Sequence, residues 1–190
     1  MKLNEIKRIR IWNEKILNDP EYLGAFIESL GVDKYHIDPK TMEVTASAVY
    51  IRRLFDYTEL PPIKWKTVAS FNCADIGIDS FNYFPKHVKG SLIMNNNRFV
   101  SLHGINKHVE FIGDSLIVDA HVTHVLGLFF IKGLKLVHFL ANRETHRLGE
   151  IRTNRQKEKE RIVNEHLAHG DIHSCQEALI DAGCIYSAKI

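Results

Sequence analysis

Apolar residues open the chain at helical spacing. Leu3, Ile6, Ile9, Trp12 and Ile16 recur every three or four positions from Leu3 to Leu17, which predicts an amphipathic helix. Asp19-Pro20 then reads as a helix start, with a capping carboxylate followed by a residue whose fixed φ suits the first turn. Tyr22, Leu23, Phe26, Ile27 and Leu30 form the stripe of this second helix, and Gly31 ends it. Next, Tyr35-His36-Ile37 and Met42-Glu43-Val44 flank Asp38-Pro39-Lys40-Thr41, a turn composition, so a short hairpin is expected.

The pattern then becomes a repeat. ASFNCADIGIDSFNYFPKHV (69–88) is followed directly by KGSLIMNNNRFVSLHGINKHV (89–109), and a looser third copy, EFIGDSLIVDAHVTHVLGL (110–128), comes after it. The tripeptide KHV, with His87 and His108, closes the first two copies and suggests duplication of one structural unit. The middle copy has the order Leu92-x-Met94-x-x-Asn97-x-Phe99-x-x-Leu102. The first has Phe71-x-Cys73-x-x-Ile76-x-Ile78-x-x-Phe81, with isoleucine where the asparagine would stand.

Such spacing predicts one short strand per coil, paired in parallel with the next, and apolar positions stacked into one core. Val49-Tyr50-Ile51 and Gly133-Leu134-Lys135-Leu136 are the expected outer strands. Asn97 should turn inward and bond backbone groups left unpaired by the turn, while Asn95 and Asn96 fall at a strand end and loop, where asparagine tolerates left-handed backbone.

The stretch from Tyr35 to about Phe139, with YHIDPKTMEV, TELPPIKW, SFNC, GSLIMNNNRFVSLHGINKHV and GDSLIV, resembles the degenerate leucine-rich-repeat-like proteins of tailed bacteriophages. HGDIHSCQEALIDAGCIYSAKI is similar to their C-terminal tail. The resemblance implies a repeat type and carries over no catalytic residue.

After Phe139 the chain turns to NRETHRLGEIRTNRQKEKERIVNEHLAHG, a charged helical stretch whose sparse apolar residues are Leu148, Ile151, Ile162, Val163 and Leu167; residues 152–161 should be mostly solvated. Gly170-Asp171 breaks and caps a last helix, with Ile172, Cys175, Leu179 and Ile180 facing inward and Gly183 as its stop. The expected fold is α+β: a helix pair and hairpin over 1–44, a leucine-rich-repeat-like β-solenoid over 45–140, and a helical cap over 141–190.

Composition narrows the function. With 190 residues, 45% hydrophobic and 25% charged, the chain can bury a core without disulfides. Cys73, Cys175 and Cys184 form no CxxC pair, so buried thiols are expected. The longest apolar run, Val125 to Ile131, is far too short for a membrane span, and charges interrupt every apolar cluster near the N-terminus, which points to a cytoplasmic protein, in the host cell if phage-encoded. A net charge of +2 leaves the partner open.

No catalytic signature is found. GxSxG, GxGxxG and the P-loop are absent, and Asp79-Ser80 and Asp114-Ser115 occupy repeat turns. Eleven histidines are an excess. His166, His169 and His173 have metal-ligand spacing, which would support a metal-dependent enzyme, but Gly170 and Asp171 interrupt their helix; His121 and His124 make an HxxH without a nearby Cys or Glu. No metal or cofactor is therefore assigned.

Strand alternation places Tyr50, Asn72, Ile93, Ile117 and Lys135 on the face away from the core, and apolar residues there imply a cover, from the chain's own helices or from a partner. The leading reading is a non-enzymatic module that binds and inhibits or redirects a host protein through Tyr50, Arg52, Asn72, Ile93, Asn95, Ile117 and Asp119. The alternative is a nucleic-acid binder using Arg147, Arg152, Arg155 and Lys159, although glutamates interleave these cations. Edge coils that pair between chains would make a homo-oligomer.

Overall fold

The computed structural model describes residues 17–51, 58–141 and 153–189. The predicted first helix, all but its last residue, lies outside them. Helix α1 (Pro20–Ser29) starts as expected: Asp19 accepts hydrogen bonds from the N–H groups of Glu21 and Tyr22, and Leu23, Gly24 and Ile27 turn inward. Strand β1 (Tyr35–Ile37) forms the predicted hairpin with β2 (Glu43–Tyr50), pairing Tyr35 with Ala46 and Ile37 with Val44.

From β2 onward the chain winds as a parallel β-solenoid of about four turns. Strand β2 pairs with β3 (Lys64–Asn72); later coils break the long strand into two short ones. One column continues through β4 (His87–Val88) and β6 (Phe111–Ile112), the other through β5 (Leu92–Ile93), β7 (Ser115–Asp119) and β8 (Leu136–Leu140). Glycines make the corner between columns. A Cβ on Gly113 would stand 2.0 Å from the Lys89 carbonyl oxygen of the preceding coil, and one on Gly90 would stand 2.9 Å from the Ala69 oxygen. Only glycine lets the coils approach so closely.

The inward residues are those the repeat pattern names. Phe71, Cys73, Leu92, Met94, Leu116 and Val118 are all fully buried, as are Val49 and Val137 at the ends of the ladder. Each such aliphatic or aromatic side chain contributes roughly 1.5–3 kcal/mol of burial. In the first two coils the filling is aromatic, with Phe81 stacked on Phe99 at 4.7 Å and Phe84 packed edge-on against both.

Three expectations are corrected here. The last strand is Leu136–Leu140, not 133–136, so His138 takes the outward place assigned to Lys135. The two KHV tripeptides are not equivalent: His87 is on β4 and aligns with Phe111, whereas His108 ends a 3-10 turn, Ile105–Lys107, that lengthens the second coil. Ile180, expected inside, is 48% exposed.

At the C-terminal end, helix α2 (Asn154–Leu167) starts in a capping box formed by Thr153 and Gln156, and α3 (Ile172–Asp181) starts at Asp171. Ile162, Val163, Cys175 and Leu179 are buried, so the helices close the stack as a terminal cap must. α2 also replaces the missing next strand. Asn164 accepts from the Val137 N–H and donates to its carbonyl, and Glu160 accepts from the Phe139 N–H. These bonds occupy the β8 edge that would otherwise invite another chain.

Candidate functional site on the outer strand face

Because the register is continuous, one residue from each strand falls in line. Tyr50 pairs with Asn72, Asn72 with Ile93, Ile93 with Ile117, and Ile117 with His138. Tyr50 is exposed and the other four are half-buried. Leu136 and Leu140 flank His138 on the same side of β8 and remain 38% and 39% exposed, since α2 docks on the strand edge and leaves them uncovered. The row is thus apolar at its β8 end and carries a phenol at the other. Asn72 is tied locally, its side chain accepting from the Ala74 N–H, which fixes the amide for presentation. Asn95 is half-buried at the strand end, with its carbonyl taking the Asp75 N–H.

The asparagine run resolves into distinct duties. Asn97 is 5% exposed; its Oδ1 accepts from the N–H groups of Gly77 (2.8 Å) and Ile78 (3.2 Å), and its Nδ2 donates to the carbonyls of Cys73 (2.8 Å) and Met94 (2.9 Å). Asn96 has the left-handed backbone, φ 57°, as does Asp75 one coil earlier.

Asp119 does not belong to the outer face. It is fully buried, and its carboxylate accepts from the N–H groups of Asn96 (2.9 Å) and Asn97 (3.2 Å). It serves the second coil as Asn97 serves the first. Burial pushes its carboxyl above the ordinary aspartate range, against the pull of those two N–H groups.

Lys159 completes the series and is likewise misassigned to a nucleic-acid surface. It is 4% exposed, donates to the carbonyls of Ala120 (2.6 Å) and Val122 (2.9 Å), and lies 4.4 Å from the Phe139 ring centre. A lysine can lie there because its ammonium meets carbonyl oxygens the last coil leaves open; it is the one buried residue of 153–161, a stretch otherwise exposed or half-buried as expected. Arg155 is exposed beside a cavity of about 260 Å³ between α2 and the solenoid. Arg52, Arg147 and Arg152 lie outside the described residues.

The candidate side chains named from the sequence for catalysis or metal binding do not converge among the described residues. Ser91 bonds both Asp114 and Ser115 in a hydroxyl ladder without a histidine. Burial raises the thiols of Cys73, Cys175 (to about 12) and Cys184, which keeps them protonated and poor nucleophiles. α2 ends before Gly170, separating His166 from His173, and among the described residues no group of three or more His, Cys, Asp or Glu is placed to hold a metal ion. Nor is any described helix long and apolar enough to cross a membrane.

Fold and site together define a short parallel β-solenoid, capped by helices, with a partly apolar outer strand face. No family model, curated protein or solved structure matches the chain.

Proposed function

We propose that this protein is a non-catalytic binding module that takes a partner protein on the row Tyr50, Asn72, Ile93, Ile117 and His138, extended by Leu136 and Leu140. The in-register row carries the reading: apolar and aromatic side chains at fixed spacing on a rigid ladder are the kind of surface that yields affinity at small ordering cost. Resemblance of the repeat to tailed-bacteriophage proteins supports a host protein as the partner, inhibited or redirected by the contact.

Affinity capture from host lysate with wild type and an Ile93→Glu/Ile117→Glu variant tests it. The wild type should retain a specific protein that the variant loses, while matched thermal melts show that the variant is folded. Recovery of the same proteins by both would rule out this face.

A further inference from the structure

We propose that His103 and His124 form a two-histidine site for a late first-row transition ion, Cu²⁺, Ni²⁺ or Zn²⁺. Coil stacking brings the two imidazoles together from positions 21 residues apart in sequence, with ring centres 6.0 Å apart. Two imidazoles sharing one ion through metal–nitrogen bonds of about 2.0–2.1 Å stand with ring centres about 5–6 Å apart. His103 is exposed and free to turn toward a shared ion, whereas His124 is half-buried and held.

The hydrogen bonds around His124 prepare it as a ligand. Its Nδ1 lies 2.9 Å from the Thr123 hydroxyl and 3.1 Å from that of Ser101. The Thr123 hydroxyl also lies 3.1 Å from the Val100 carbonyl, and the Ser101 hydroxyl takes the His103 N–H, so both hydroxyls are themselves held in place beside Nδ1. With both hydroxyls on Nδ1, Nε2 is the nitrogen left to meet an ion, and an ion bound there would place the ring proton on Nδ1, where either hydroxyl can accept it. Such contacts on the far nitrogen are what orients a metal-binding histidine. The backbone holds the ring too, with the His124 N–H donating to the Tyr186 carbonyl and the Ser101 hydroxyl taking the His103 N–H.

Two imidazoles with no third His, Cys, Asp or Glu joining them among the described residues select nitrogen-preferring ions over Ca²⁺ or Mg²⁺. The remaining coordination positions would go to water or an external donor.

Titration of the full chain with Zn²⁺ and with Cu²⁺, followed by calorimetry and histidine-ring NMR, tests the site. One equivalent should bind, and substoichiometric Cu²⁺ should broaden the His103 and His124 ring signals before those of other histidines. His103→Gln and His124→Gln should each weaken Zn²⁺ binding at least tenfold, Thr123→Val should weaken it severalfold, and His173→Gln, on exposed α3, should leave it unchanged. Broadening spread evenly over the histidines, or wild-type affinity in His103→Gln, would overturn the assignment; because His103 is exposed, its replacement leaves the fold intact, as a thermal melt checks.

Discussion

Replacing Asn97 with alanine tests the internal ladder most directly. The substitution removes four hydrogen bonds at once and leaves the N–H groups of Gly77 and Ile78 and the carbonyls of Cys73 and Met94 without their partner. Each buried polar group deprived of a bond costs about 1–3 kcal/mol. The four losses do not add fully, because a water in the vacated space can recover part of them, so a net destabilisation of about 3–5 kcal/mol is expected. Against a typical total of about 5–15 kcal/mol, that is a large share. Urea unfolding followed by circular dichroism measures it, and hydrogen exchange locates it: the Gly77 and Ile78 amides should lose protection before those of β7 and β8. A loss below about 1 kcal/mol, with both amides still protected, would refute the argument that this side chain holds the coil. Asn97→Asp is a sharper companion. It keeps an acceptor for the two N–H groups but turns an oxygen toward the Cys73 and Met94 carbonyls, so it should be less damaging at acid pH, where the carboxyl can donate.

Gly113→Ala should destabilise by about 3 kcal/mol or more, since its Cβ meets backbone of the preceding coil at 2.0 Å, whereas Gly31→Ala, with open space and only a φ of 83° against it, should cost about 1 kcal/mol in the same denaturation assay. Lys159→Met should cost about 3 kcal/mol by leaving the Ala120 and Val122 carbonyls unpaired, while Arg161→Ala, which removes only exposed pairs with Glu158 and Glu165, should leave the urea midpoint in place. For Asp119 the sign follows from burial. A carboxyl whose folded-state value is raised above the unfolded one favours the fold most at acid pH, and this contribution falls as pH rises from the ordinary aspartate range through the raised value. Asp119→Asn should lack that decline; parallel stability-against-pH curves for wild type and variant would contradict it.

Much of the repeat was legible because it follows from local chemistry. Leu92-x-Met94-x-x-Asn97 names two inward strand positions and a turn asparagine, and all three side chains are buried in those roles. Asp19-Pro20 and Gly31 likewise mark the limits of α1, since capping depends on residues within a few positions of one another. The outer face was half legible: period-two alternation placed Ile93 and Ile117 outside, but the register of the last strand, and so the choice of His138 over Lys135, depends on which strand it pairs with.

The remainder could not be read from neighbours in the chain. Alternation puts Asp119 outside; it turns in because the N–H groups of Asn96 and Asn97, 23 and 22 residues earlier, need an acceptor. Lys159 looks like one cation among many until α2 is laid against the last coil, where the carbonyls of Ala120 and Val122 draw it inside. Nor could local spacing bring His103 beside His124, since their rings come within 6.0 Å only through coil stacking. By itself, then, the sequence determined the apolar repeat, the helix limits and the role of Asn97, all governed by spacing and local backbone preference. Tertiary structure alone decided that Asp119 and Lys159 serve the core and do not stay on the surface, because that choice rests on backbone groups about twenty residues or more away and brought near only by folding.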